Sequence, residues 1–179
     1  MHTIDLRIGK RSVIDASPQA AVAGLTLDIQ HASEARIIPT QASLTAWATA
    51  ALNGHRDHAE MTIRIVDEAE GAELNLTYRG KRGPTNVLSF PFYPPPGIGD
   101  LELIGDLVIC APVVEREAFE QGKDSAAHWA HIVVHGTLHL LGYDHLTEGQ
   151  AVEMEALETD ILLGLGFSAP YEYTSRGQV

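Results

Sequence analysis

The segment SAAHWAHIVVHGTLHLL, residues 125–141, constrains the fold more than any other part of this sequence. At 100° per residue, four histidines fall within an arc of roughly 80° on one helix face: His128, His131, His135 and His139. Apolar residues occupy most of the remaining circumference: Trp129, Ile132, Val133, Val134, Leu138, Leu140 and Leu141. The pattern predicts a central, largely buried helix whose polar line consists of imidazoles.

Apolar periodicity elsewhere predicts a small sheet covered by helices. Strands are expected where apolar residues alternate or cluster: Leu25 to Ile29, Met61 to Ile65, 87–92 and 105–110, the last two joined as a hairpin through a Pro- and Gly-rich loop. Further helices are expected from Pro39, in an early helix position, to Leu52, over 67–78 and 112–121, and from Thr147 onward. Thr147 and Gln150 form a capping-box pattern. Together these elements predict an α/β fold with a mixed sheet of about four strands and about five helices.

The length of 179 residues and the hydrophobic fraction of 45% suit one domain with a substantial core. We place that domain at residues 24–171. Residues 1–23 contain a possible strand (Ile4, Leu6, Ile8) followed by ASPQAAVAG, which is typical of a weakly ordered extension. Residues 172–179 are expected to form a C-terminal tail.

Cysteine content and hydropathy bear on the cellular compartment. Cys110 is the single cysteine, so no intrachain disulfide is possible, and a buried structural thiol is expected. The N-terminal MHTIDLRIGKRS lacks the apolar core of a secretion signal, and no stretch has the length of a membrane span. We therefore expect a cytoplasmic protein with no membrane partner.

The net charge of −12 has the wrong sign for a protein that binds nucleic acid over its whole surface. Arg79, Lys81 and Arg82 form the one dense basic group, next to Gly80 at the expected end of a helix. Such a short cluster is by default a solvated turn. Any contact with RNA must be local, and this group is the candidate for it.

The motif HGTLHLLGYDH places histidines at positions 135, 139 and 145. His135 and His139 lie on adjacent turns and can present two nitrogens to one metal ion. Gly142 permits a positive φ that ends the helix, so His145 could return as the third ligand. Three neutral imidazoles and an open position match catalytic zinc, because the open position holds water whose pKa falls to about 7. The alternative, that each histidine is an ordinary hydrogen-bonded core group, is weakened by four histidines in register.

The same HxxxHxxGxxH spacing occurs in metzincin proteases, which place a glutamate general base directly after the first histidine. This chain has Gly136 there, which opposes peptide hydrolysis. Asp144 could orient His145 as a hydrogen-bond partner, or could cap the turn, which we favour slightly. No general base stands at a diagnostic spacing.

Four segments together resemble the YbeY family of metal-dependent endoribonucleases, also called rRNA maturation factors. They are LNLTYRGKRGPTNVLSFPF (74–92), GDLVIC (105–110), HWAHIVVHGTLHLLGYDH (128–145) and MEALE (154–158), in the family's order. The resemblance runs from about Leu25 to Tyr171. Any one segment would be weak evidence, but the combination is highly specific.

The resemblance implies one zinc ion per chain on His135, His139 and His145, and a functionally required arginine at Arg79. It also implies cleavage of single-stranded RNA, 3′ end maturation of small-subunit rRNA and a part in ribosome quality control. We assign catalytic roles to Arg79 and His135, and substrate binding to Arg79, Lys81 and Arg82. The expected partners are ribosomal RNA and proteins of the small ribosomal subunit, and no DNA.

The chemistry of phosphodiester cleavage is compatible with a catalytic role of Arg79, but other roles of the basic residues stay open. The Arg79 guanidinium could offer two parallel hydrogen bonds to the phosphate oxygens on which charge builds during cleavage. It could equally be a helix-end cation near the last carbonyls, and Lys81 and Arg82 could be exposed and idle. Two other functions stay open: a noncatalytic zinc-containing ribosome-assembly factor and, with less support, a metalloprotease.

Overall fold

A computed structural model of the chain describes residues 24–99 and 101–171. Within them, four strands and five helices follow one another: β1 (Leu25–Ala32), α1 (Gln41–Leu52), β2 (Ala59–Val66), α2 (Glu68–Arg79), β3 (Val87–Pro91), β4 (Leu103–Cys110), α3 (Ala111–Glu120), α4 (Ser125–Leu140) and α5 (Glu148–Gly164). This confirms the predicted α/β fold. The possible strand at residues 4–8 and both terminal segments, 1–23 and 172–179, lie outside the described residues.

The strands form one mixed sheet in the order β1-β2-β4-β3. β1, β2 and β4 are parallel, whereas β3 runs antiparallel to β4, with Val87 opposite Ile109 and Ser89 opposite Leu107. The loop between β3 and β4 therefore closes a hairpin, as predicted. Parallel strands need long crossover connections, which α1 supplies between β1 and β2.

Alternating side chains place a core on each face of the sheet. Leu107 and Ile109 of β4 join the larger core with residues of α1 and α4, while Val108 and Cys110 join the smaller core, against which Leu74 of α2 packs. Cys110 is 1% exposed, which confirms the predicted buried thiol. Burial raises the pKa of that thiol, so it stays protonated at neutral pH.

Helix α4 lies at the centre of the larger core, in contact with α1, α3, α5, β3 and β4. Asp124 caps its start by accepting a hydrogen bond from the Ala127 amide at 3.1 Å. Trp129 is completely buried, and its Nε1 donates to Glu115. The predicted buried helix is thus confirmed. No helix in residues 24–99 or 101–171 is long and apolar enough to cross a bilayer.

Two helix starts test the predicted capping. The capping box of Thr147 and Gln150 is present at the start of α5, as predicted. The early helix position predicted for Pro39 is wrong, because Pro39 lies before both the cap residue Thr40 and the first helical residue Gln41. Helix α1 begins at Gln41 because the Thr40 side chain accepts a hydrogen bond from the Ser43 amide, which makes Thr40 the cap.

Candidate metal centre

His135 and His139 lie on successive turns of α4 and point at one another. Their Nε2 atoms are 3.1 Å apart, and the ring centroids are separated by 4.6 Å. Two nitrogens that bind one tetrahedral zinc at about 2.0–2.1 Å lie roughly 3.3 Å apart. The observed spacing therefore fits two ligands of a single ion.

Gly142 turns the chain so that a third histidine reaches this pair. It adopts a φ of +97°, a conformation that favours glycine, and its amide donates to the His139 carbonyl at 3.0 Å. The ring centroid of His145 then lies 5.1 Å from that of His139 and 5.7 Å from that of His135. One nitrogen from each of the three rings lies within 4.8 Å of the others. The predicted set is therefore brought together as a group able to hold a metal ion.

Asp144 caps the turn rather than orienting its neighbour's ring. Its Oδ1 accepts a hydrogen bond from the His145 backbone amide at 2.7 Å. The same oxygen is 3.9 Å from His145 Nδ1, which is too far for a hydrogen bond. The side chain of His145 is 55% exposed, which makes it the most open of the three candidate ligands.

Glu158, on α5, contacts the His135 ring at the site. The sequence did not predict it as a site residue. Its side chain is fully buried, and one carboxylate oxygen accepts a short hydrogen bond from His135 Nδ1. The other oxygen accepts from the Tyr171 hydroxyl and lies 3.2 Å from His131 Nε2. The available signal was a glutamate at helical spacing between Met154 and Leu162, on a helix face that is otherwise apolar and buried.

The electrostatics favour an ionised Glu158 and a neutral His139. Burial alone would raise the pKa of Glu158, but hydrogen bonds from His131, His135 and Tyr171 outweigh it and lower the pKa to about 2. Burial, together with the nearby His135 and His145, lowers the pKa of His139. A neutral imidazole is the form that binds metal, so this donor set fits zinc.

Arg79 and the three histidines line the same cleft, which has a volume of about 630 Å³. Arg79 is the last residue of α2, and Gly80 ends that helix with a φ of +65°, as predicted. The guanidinium forms no ion pair or hydrogen bond with any residue in the described ranges. Lys81 and Arg82 are exposed, but neither belongs to the described residues that line the cleft.

Comparison with known proteins identifies the family. A family model described as Endoribonuclease YbeY matches residues 28–166. The chain belongs to the YbeY endoribonuclease family. Membership in this YbeY family makes RNA the substrate class of the chain.

A solved structure shows the same fold. The solution structure of TM1509 from Thermotoga maritima matches with a TM-score of 0.51 and 24% sequence identity. The match covers 84% of this chain and 99% of that chain. At this identity the likeness supports a shared fold, and the YbeY family assignment rests on the family model.

His128, the first histidine of the stripe, lies outside the candidate metal centre of this YbeY-family chain. His128 is 4% exposed, and its Nε2 lies 2.9 Å from a carboxylate oxygen of Glu117. Asn86 donates to the same carboxylate. Burial opposes the charge of Glu117, but these hydrogen bonds prevail and lower its pKa. His128 is therefore a hydrogen-bonded core histidine, as the alternative interpretation held for a single histidine.

Gly136, the residue after His135, lies where helix α4 packs closely on the sheet. A Cβ atom at this position would lie 3.0 Å from both terminal carbons of Leu107 and 3.3 Å from Val87. The carbonyl of Gly136 also accepts a hydrogen bond from Ser89 at 3.3 Å. A larger side chain at position 136 would therefore require Leu107 and Val87 to shift. A glutamate here, as in the metalloprotease alternative, would need the same shift.

Proposed function

We propose that this chain is a zinc-dependent endoribonuclease that cleaves single-stranded RNA, and that His135, His139 and His145 bind one zinc ion. The observation that carries the proposal is the shared cleft: three converging imidazoles face the same cavity as an arginine without an ion-pair partner among the described residues. Zinc held by these three histidines would supply Lewis-acid chemistry and would lower the pKa of water to about 7.

The protein groups then have separate tasks. Arg79 presents its planar guanidinium to the phosphate and stabilises the negative charge that develops on the nonbridging oxygens. His135 and His139, one turn apart on α4, hold their Nε2 atoms 3.1 Å from each other, and both residues line the cleft. Lys81 and Arg82, exposed next to Arg79, attract the RNA backbone toward this part of an otherwise acidic protein.

Two tyrosines in the wall of the cleft support a preference for unpaired RNA. Tyr93 lines the cleft and is 68% exposed, so an unstacked base can lie against its ring. Tyr78, which packs edge-on against Phe90 at 5.2 Å, lines the cleft as well. Bases in a duplex are already stacked and cannot use these rings.

Family membership supports a cellular role in ribosome synthesis. We propose that the protein matures the 3′ end of small-subunit rRNA, takes part in ribosome quality control, contacts proteins of the small subunit and acts in the cytoplasm. Cells that lack it are expected to accumulate small-subunit rRNA with an extended 3′ end. The intact gene should restore the mature end, and the Arg79→Ala gene should not. Equal restoration by both genes would contradict the role of Arg79.

Cleavage of a labelled RNA by the highly purified full chain tests the biochemical proposal. Single-stranded RNA should be cut, a chelator should stop the reaction, and added zinc should restore it. The same sequence in a duplex should be cut far more slowly. If a folded, zinc-loaded protein leaves the RNA intact while still binding it, the noncatalytic assembly-factor hypothesis is favoured instead.

A further inference from the structure

We propose that Glu158 is a positioning residue of the metal centre: its carboxylate holds the His135 ring so that Nε2 faces the cleft as a metal ligand. This inference rests on the proposed zinc site. It assigns a task to a buried acidic residue that sequence spacing did not single out.

The hydrogen-bond pattern determines which nitrogen of His135 carries the hydrogen. An ionised carboxylate only accepts hydrogen bonds, so His135 Nδ1, in contact with Glu158 Oε1, is the donor. In the neutral ring, Nε2 then has a free electron pair. That nitrogen lies 3.1 Å from Nε2 of His139, a residue that lines the same cleft. Glu158 therefore fixes both the orientation of the ring and its tautomer.

Glu158 is itself held in place by two further groups. Its second oxygen accepts from the Tyr171 hydroxyl and lies 3.2 Å from His131 Nε2. His131 Nε2 also lies 3.2 Å from the Tyr171 hydroxyl. Both carboxylate oxygens are therefore occupied, which compensates for the removal of the charge from water. Because His131 and Tyr171 hold the carboxylate in place, it can fix the orientation of the His135 ring.

Core packing alone would not require a charge at position 158. The neighbouring core positions on α5, Met154 and Leu162, are 2% and 1% exposed, and an apolar side chain at position 158 could pack in the same layer. The glutamate instead accepts a hydrogen bond from His135, a candidate metal ligand. Supporting partners of this kind orient ligating histidines and raise their basicity.

The geometry also admits a competing arrangement. His131, His135 and Glu158 form a second group whose ligand atoms lie within 4.8 Å of one another. The hydrogen bonds among them account for that closeness without an ion. The positioning role therefore requires one zinc per chain, and a second, equally tight zinc that is lost on replacing Glu158 would overturn it.

The first test compares Glu158→Gln with Glu153→Gln in the full-length chain. Glu153 is exposed on the same helix, so the control makes the same chemical change away from the centre. Competition with a chromophoric chelator measures the zinc dissociation constant. We expect it to rise roughly 10–100-fold in Glu158→Gln and to stay unchanged in Glu153→Gln. An unchanged constant in folded Glu158→Gln would overturn the proposal.

Thermal unfolding of the metal-free proteins separates positioning from structure. A merely structural Glu158 would lower the melting temperature and leave the zinc affinity of the folded protein unchanged. If the wild-type chain binds zinc but does not cut RNA, the proposed nuclease function fails while the role of Glu158 stands. If wild type binds and cuts and Glu158→Gln binds equally well, only the role of Glu158 fails.

A second test needs no variant. Long-range ¹H–¹⁵N spectra of the metal-free wild-type chain at about pH 8, above the ordinary pKa of histidine, report which ring nitrogen carries the hydrogen. We expect the Nδ1–H tautomer for His135. The Nε2–H tautomer would overturn the proposal even if Glu158→Gln fails to fold.

Discussion

The Nε2 atom of His139 lies 3.1 Å from the Nε2 atom of His135, one helical turn away on α4. Two facing imidazoles at this distance either share a hydrogen bond or bind a common ion. Because His145 lies against both rings, the arrangement is a three-nitrogen group rather than a pair.

Replacing His139 with alanine should abolish tight zinc binding without unfolding the protein. His139 is partly exposed, so its loss leaves little cavity in the core. The zinc dissociation constant should rise by more than the roughly 100-fold expected for loss of a supporting partner. His58→Ala, at an exposed histidine outside the group, is the control. Tight zinc binding by the His139 variant would exclude His139 as a ligand.

Gly136→Ala should destabilise the fold. The new methyl group would meet Leu107, which is fully buried, at 3.0 Å. Overpacking costs about 1–3 kcal/mol, and the better helix propensity of alanine offsets about 1 kcal/mol of it. Urea unfolding should therefore give a free energy of unfolding lower by up to about 2 kcal/mol.

Gly149→Ala provides the matched control for Gly136→Ala. Gly149 lies in the first turn of α5, and a Cβ atom there meets no heavy atom within 4 Å. The substitution should leave the free energy of unfolding unchanged or raise it by up to about 1 kcal/mol. Equal effects of the two substitutions would contradict the close approach of α4 to the sheet.

Much of the architecture could be predicted because each element has a strong local pattern. Alternation of Met61, Ile63 and Ile65 marks a strand, and Gly142 marks the end of α4. The strand order β1-β2-β4-β3 could not be predicted, because it depends on which strands pair across crossover connections. The three histidines could be predicted since they share one short motif.

Glu158 could not be assigned from spacing because it lies on a different helix from the ligand that it supports. The sequence shows an acidic α5, in which most glutamates are exposed. Tertiary packing selects the one that turns inward toward His131 and His135. The positions of Lys81 and Arg82 outside the cleft lining also depend on how the chain leaves α2 after Gly80.

The contribution of Glu117 to stability should depend on pH. Its pKa in the folded protein is lowered from 4.5, so its stabilising contribution is complete above about pH 4.5 and is lost as the pH falls through the folded-state pKa. The free energy of unfolding of wild type should exceed that of Glu117→Gln by about 1 kcal/mol at pH 7, and the difference should shrink as the pH falls below about 4.5. Urea titrations across this range measure it.

Glu120→Gln is the control for the pH experiment, because Glu120 is exposed on the same helix, α3. Its free energy difference from wild type should stay within about 0.5 kcal/mol at every pH. A Glu117 difference that does not shrink below about pH 4.5 would show that the hydrogen bonds from His128 and Asn86 do not stabilise the charged carboxylate.

Lys81→Ala combined with Arg82→Ala should weaken RNA binding without changing zinc content. Each lost phosphate contact should reduce the slope of log affinity against log salt concentration by about 0.7 for single-stranded RNA. Binding titrations at several salt concentrations measure the slope. An unchanged slope would mean that neither side chain contacts the backbone.

The most direct test of the central claim is the single-turnover cleavage rate of labelled single-stranded RNA by zinc-loaded Arg79→Ala. Wild type and Arg36→Ala, at an exposed arginine outside the cleft lining, serve as references. The account predicts one zinc per chain in all three proteins and a rate roughly 10²–10³-fold lower in Arg79→Ala alone. Cleavage by Arg79→Ala at the wild-type rate would contradict it.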